Sequence, residues 1–298
     1  MNGILIINKP RGITSHDVVN IVRRAYKTKK VGHVGTLDPI ASGVLVVCVN
    51  QATKLAPYLE SDDKVYECEV LVGKATDTYD ITGTVTEEEE EEEEVFNLTT
   101  DEVDKCLLKF KGELEQYPPI YSAIKVNGKK LYQYARNNEE VLIEARRINV
   151  FEIKRTSELY EREGEIYFKF KAHVSKGTYI RSLVYDIGKM LNIPCCMSDL
   201  IRIKSGKFNL EQSYTIEDVE IGKSCLVKMA DSISMPLLDI TKNIEILSKV
   251  KNGMKLSLSS FDEKYKKIAF IYKDELFAIY EFNDELFPCY KASRVWLD

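Results

Sequence analysis

Val31 to Val49 reads VGHVGTLDPIASGVLVVCV, and the rest of the chain is organised around it. Three glycines (Gly32, Gly35, Gly43) and Pro39 surround a single carboxylate, Asp38. Proline fixes its own φ and pushes the residue before it out of the helical region. Glycine permits left-handed backbone and close approach of another chain. The apolar run Val44 to Val49 that follows reads as a buried strand. Asp38 is therefore expected at the tip of a stiff loop anchored by a core strand, an arrangement that presents a reactive carboxylate. An Asp-Pro turn between two strands with no chemistry is the competing reading, and turns of that kind are common.

Outward from this loop, the chain alternates between strand and helix patterns. Gly3 to Ile7 is an apolar strand, and Thr14 or Ser15 caps a helix running to about Tyr26, with Asp17 in a capping-box position. Gln51 to Leu59 reads as a helix. Lys64 to Gly73 alternates, and its apolar face carries Tyr66, Cys68, Val70 and Val72, so Tyr66 points inward. A buried tyrosine needs a partner for its hydroxyl or a cavity to line. A capped helix runs from Thr99 or Thr100 to about Lys111, Glu165 to Val174 is a strand, and Ile193 to Phe208 holds a strand pair. Ser175 to Arg181, SKGTYIR, opens a helix ending near Leu191. Free N–H groups at such an opening favour an anion. An arginine in the first turns opposes the helix dipole, so Arg181 wants an acidic partner, and Asp38 is a candidate. From about Ile240 onward short strands and turns predict a small β domain.

Composition narrows the function class. The 298 residues are 44% hydrophobic and 30% charged, as in globular proteins. No apolar run reaches a membrane span and no secretory signal is read at the start, so a cytoplasmic protein is expected. Seven cysteines without a CxxC and three scattered histidines predict reduced thiols and no metal site. The net charge of −5 includes eight consecutive glutamates, Glu87 to Glu94; with those eight set aside the balance becomes +3. That tract reads as an exposed hairpin tip or loop. Between Ile120 and Tyr214 there are 17 Lys or Arg against 11 Asp or Glu, a basic middle that suits a phosphate-rich partner. Within it, IYSAIKVNGKKLYQYAR (Ile120 to Arg136) interleaves Lys125, Lys129, Lys130 and Arg136 with Tyr121, Tyr132 and Tyr134 around an Asn127-Gly128 turn. Tyrosines stack on bases and lysines meet phosphates, although a plain amphipathic hairpin has the same pattern.

Four stretches together, GILIINKPRGITSHDVV, VGHVGTLDPIASGVL, PPIYSAIKVNGKKLYQYAR and SKGTYIRSLVYDIG, resemble the TruB family of tRNA pseudouridine synthases, of the bacterial pseudouridine-55 type. The resemblance is strong from about Gly3 to Thr215 and looser over the last sixty or so residues, which resemble a PUA-like RNA-binding domain. It implies an α+β fold, a mixed, mainly antiparallel sheet with flanking helices, over residues 1–235. An RNA-binding hairpin would be inserted at about 118–140, and the small β domain would span 240–298. It implies isomerisation of a uridine in the T-loop of tRNA with no cofactor, and a tRNA T-arm as partner without an obligate protein partner. It places the nucleophile at Asp38, the active-site tyrosine at Tyr66 and the paired arginine at Arg181. Substrate contacts fall on Lys9, His33, Tyr179 and Leu200, and on Lys125 and Lys130 of the hairpin. The glutamate tract is not a family feature. A non-catalytic RNA-binding module and a guide-RNA-dependent relative are the alternatives; intact Asp38, Tyr66 and Arg181 count against the first, and the self-contained hairpin against the second.

Overall fold

A computed structural model describes residues 1–298 apart from 61–62, 90–94, 96, 262, 285–287 and 297–298. Most of the glutamate tract thus lies outside the described residues; its first two members, Glu87 and Glu88, end the strand Val85–Glu88, which is exposed throughout.

The large sheet joins five strands read above to two that the sequence did not signal, Arg146–Arg155 and Gly112–Gln116. Its order is Gly3–Lys9, Ser42–Val49, Cys195–Ser205, Lys64–Val72, Glu165–Val174, Arg146–Arg155, Gly112–Gln116. Neighbours along this path are antiparallel except Ser42–Val49 with Cys195–Ser205, which pair in parallel through Ile201 with Ser42 and Arg202 with Gly43. The alternation in Lys64–Val72 works as expected. Tyr66, Cys68, Val70 and Val72 join the main core, with Phe168 and Phe170 of the next strand.

Helices Ser15–Ala25, Thr100–Lys109 and Ile180–Leu191 cover that face, contributing Val18, Val22, Val103, Leu107, Leu183 and Ile187. Capping boxes built by Thr14 with Asp17 and Thr99 with Glu102 start the first two. Gln51 to Leu59 is not one helix. A 3₁₀ turn, Asn50–Leu55, leads into the short helix Ala56–Leu59, because Pro57 has no N–H with which to continue an existing helical ladder.

A five-stranded sheet follows in the order Leu237–Asp239, Lys267–Tyr272, Glu275–Asn283, Cys289–Val295, Leu256–Ser257. It has its own core around Phe270, Tyr280 and Tyr290. Through Ala269, Leu276, Ile279 and Trp296 it packs on the reverse side of the Gly3–Lys9 and Ser42–Val49 pair, against Ile4, Ile6, Val44 and Val46. Trp296 Nε1 donates to Gln51 O at 3.2 Å. Two-sided burial explains why those two strands are apolar throughout instead of alternating.

Candidate active site

The Asp38 loop joins Val31–Val34 to Ser42–Val49. Ser15 holds its rim: the hydroxyl donates to Leu37 O at 3.0 Å and accepts from Leu37 N–H at 2.9 Å. Gly12 N–H donates to Pro39 O, and Ala41 N–H to Asp38 O. Gly43 secures the other end. It sits at φ +100°, and a Cβ there would lie 2.3 Å from Arg202 O, so glycine is required by both conformation and space. Arg202, 1% exposed, donates from Nε to Val44 O and from Nη2 to Gly35 O. The loop is thus clamped from a helix on one side and a central strand on the other.

Arg181 meets Asp38. Its Nε lies 2.9 Å from Asp38 Oδ2, with the arginine side chain 6% exposed and the aspartate 38%. The same guanidinium donates from Nη1 to Thr78 O (3.0 Å) and from Nη2 to Tyr121 O (3.1 Å), and Nη1 faces Asp80 Oδ2 at 3.7 Å. Asp80 is buried and accepts from Thr78 Oγ1, Thr82 Oγ1 and Thr82 N–H. Arg181 lies in the first turn of Ile180–Leu191, where the dipole opposes a cation. Two carboxylates and two carbonyls offset that.

A cavity of about 820 Å³ opens over this pair and is lined by Asp38, Tyr66, Ser122, Tyr179, Arg181 and Leu200, among others. Tyr66 and Leu200 are nearly buried, at 8% and 6% exposed, on the adjacent strands Lys64–Val72 and Cys195–Ser205. Burial raises the Tyr179 phenol above its ordinary pKa, opposed by the Ser122 hydroxyl and the Arg146 cation. Tyr179 is the N-cap of the helix. Gln116 engages both its backbone groups, accepting from Tyr179 N–H at 2.8 Å and donating to Tyr179 O at 3.0 Å. Lys176 to Thr178 therefore form a turn ahead of the helix and do not open it.

The remaining sequence-predicted residues sit further from the reacting pair. Lys9 is fully buried, and its ammonium donates to Pro10 O (2.9 Å) and Ile13 O (2.8 Å). Burial lowers its pKa to about 8, with Asp38 pulling upward and Arg202 downward. In this placement Lys9 holds the turn beside the Asp38 loop and is not exposed to touch a substrate, because the carbonyls of that turn point inward and capture the cation. His33, on Val31–Val34, is half-buried with its Nδ1 shielded and unpartnered; burial, and after it the Arg202 cation, lowers its pKa. Lys125 and Lys130 lie on the two strands of the Lys125–Val126/Lys129–Lys130 hairpin. Lys130 Nζ lies 5.4 Å from the ring centroid of Tyr132, which reaches the cavity wall.

Asp80, Ser122 and Gln116 were not predicted. Ser122 lines the cavity, whereas Asp80 and Gln116 act from behind it, on Arg181 and on the Tyr179 backbone; only the fold brings these distant segments together. A second cavity of about 520 Å³, lined by Val65, Lys171, His173 and Lys204 among others, contains none of the predicted site residues. Among the described residues no cluster of His, Cys, Asp and Glu is arranged to hold a metal ion, and no helix is long and apolar enough to cross a membrane.

Comparison with known proteins gives the family and the fold. Residues 23–180 match the family model for the N-terminal domain of TruB family pseudouridylate synthase, and residues 181–233 that for the tRNA pseudouridylate synthase B C-terminal domain. The chain is 43% identical over 293 residues to tRNA pseudouridine synthase B of Staphylococcus aureus strains MSSA476 and N315, covering 94% of each chain. In fold it is similar to a chain in a crystal structure of a Cbf5-Nop10-Gar1 complex (TM-score 0.70, 24% identity, 99% of this chain and 84% of that one). It is equally similar to a chain in an H/ACA RNP bound to a substrate RNA containing 2'-deoxyuridine (TM-score 0.69, 22% identity, 99% and 85%). The chain belongs to the TruB family of pseudouridylate synthases.

Proposed function

We propose that this TruB-family chain isomerises a uridine of tRNA to pseudouridine, and that its target is the T-loop uridine at position 55. The observation that carries the reading is the Asp38–Arg181 pair, 2.9 Å apart on the wall of a cavity large enough for a nucleotide. The identity to enzymes named for tRNA supports the substrate class.

In the reaction the N1–C1′ bond breaks, the uracil turns, C5 bonds to C1′, and a proton is lost from C5 while N1 gains one. Asp38 supplies the nucleophile. Arg181 fixes its carboxylate, and Asp80 and the two carbonyls fix Arg181. Tyr66 offers a flat face to the uracil and a phenol toward the C5 proton. Leu200 closes the apolar side of the base pocket. The target base is stacked in the tRNA, so it is flipped out at about a few kcal/mol.

Phosphate contacts from Lys125 and Lys130 of the hairpin help supply that energy, Tyr132 stacks beside them, and His33 supports the opened loop from its half-buried strand. Residues 240–298 add a PUA-like RNA-binding domain to a catalytic domain of residues 1–235. The chemistry asks no cofactor of the protein, and the enzyme acts in the cytoplasm without an obligate protein partner. The test is to incubate the chain with an unmodified tRNA transcript and map pseudouridine by carbodiimide-dependent primer stops. A single stop at position 55 is expected. Pseudouridine elsewhere, with none at 55, would overturn the T-loop assignment.

A further inference from the structure

Nearly all buried polar atoms in folded proteins have a hydrogen-bond partner, because an unmet one keeps its desolvation penalty. Among the described residues three buried side-chain atoms lack one: Arg23 Nε, His33 Nδ1 and Ser122 Oγ. Of these three residues, Ser122 alone lines the cavity that holds Asp38, Tyr66 and Arg181. It is 6% exposed. The Tyr179 phenol is its polar neighbour, yet no well-formed hydrogen bond joins the two hydroxyls.

The position of Ser122 is not loose. Its N–H donates to Ile120 O at 2.9 Å and its carbonyl accepts from Tyr132 N–H at 3.1 Å. The carbonyl of the preceding residue, Tyr121, accepts from Arg181 Nη2, and the Nε of the same guanidinium holds Asp38. Ser122 is therefore fixed one peptide away from the reacting pair, with a hydroxyl that faces the Tyr179 phenol without a well-formed hydrogen bond.

We propose that Ser122 Oγ contacts the flipped uracil, donating a hydrogen bond to a carbonyl of the base. This rests on the isomerase reading above. A hydroxyl has one donor and two acceptor positions, and the isomerisation gives a fixed donor a specific use. Turning uracil about its N3–C6 axis places C4=O where C2=O had been. One stationary donor therefore meets a carbonyl before and after the turn. Between the two, the detached base carries negative charge on those oxygens, and a donor already aimed at them is worth most at that stage. The contact belongs to the chemical step. Affinity for the whole tRNA is dominated by phosphates and is left nearly unchanged.

The experiment compares Ser122→Ala with wild type in the full chain on C5-tritiated, unmodified tRNA transcript. It measures single-turnover tritium release, tRNA binding and thermal melting. The expected result is a rate about tenfold lower, a Kd within about twofold of wild type, and a melting temperature equal or higher, since the substitution removes a hydroxyl that folding leaves unmet. A wild-type rate in Ser122→Ala overturns the proposal. So does a slower rate accompanied by a melting temperature several degrees lower, which marks a structural role. Failure of the wild type itself to release tritium removes the isomerase reading, and the proposal with it, and is distinguished by occurring in both proteins.

Discussion

Replacing Arg181 with lysine keeps the charge and removes the fork. One guanidinium serves four acceptors: Asp38 Oδ2 at 2.9 Å, Thr78 O at 3.0 Å, Tyr121 O at 3.1 Å and Asp80 Oδ2 at 3.7 Å. A lysine ammonium is a compact point with three donors and cannot reproduce that planar spread. Asp38 is more than a third exposed, so water screens its share of the stability. Asp80 is buried, and the two carbonyls are partly so. Leaving one of these groups unmet costs about 1–3 kcal/mol, and each kcal/mol lowers the melting temperature by about 2–4 °C in a chain of this size class. The effect on rate is larger. Asp38 loses the Nε that orients it, and a displacement of about 1 Å at a reacting group costs about 100-fold. Single-turnover tritium release should therefore fall about 100-fold in Arg181→Lys, with tRNA binding within about threefold and melting several degrees lower. A variant that melts lower yet isomerises at the wild-type rate would refute the claim that the guanidinium fork positions Asp38.

The other perturbations read different parts of the structure. Gly43→Ala puts a Cβ 2.3 Å from Arg202 O at φ +100°; it should lower the melting temperature sharply or abolish soluble expression, whereas Gly32→Ala, with open space around it, should melt like wild type. Burial alone would raise the pKa of Glu69, but hydrogen bonds from Tyr160, Arg162 and Ser198 bring it down to about 2 from an ordinary 4.5. Its stabilisation is thus present above about pH 4.5 and lost as pH falls toward 2, about 3 kcal/mol in all; in Glu69→Gln, denaturant titrations should show lower stability at pH 7 and a flatter acid limb, and an unchanged limb would contradict the assignment. Lys125→Ala with Lys130→Ala should weaken tRNA binding and reduce the slope of log K against log salt by about 1.5, two phosphate contacts' worth, as read by filter binding over a salt series.

The parts of the site legible in the sequence were those enforced by local backbone rules or by periodicity. Glycines and Pro39 announced the Asp38 loop, alternation turned Tyr66 inward, and an arginine misplaced against a helix dipole pointed to the partner of Asp38. What escaped depends on contacts between distant segments. Asp80 sits in the polar run TDTYDIT, where nothing local separates it from Asp77. Whether Ser122 has a hydrogen-bond partner is decided only when the cavity closes around it. The resemblance gives Lys9 a substrate contact, but the carbonyls of Pro10 and Ile13 capture its ammonium and the residue is buried. The parallel pairing of Ser42 with Ile201 is likewise a property of the assembled sheet. Pro57 was visible and could have divided the helix read over Gln51 to Leu59.

Everything proposed for the site turns on Asp38 performing the chemistry. The most direct measurement is tritium release from C5-labelled uridine in unmodified tRNA by wild type and Asp38→Asn, with tRNA binding followed in parallel. Asp38→Asn preserves the shape of the side chain and removes its charge. Release by wild type, none above background by Asp38→Asn, and binding retained by both are expected. Full turnover by Asp38→Asn would contradict that role and leave Asp38 as a residue of the turn.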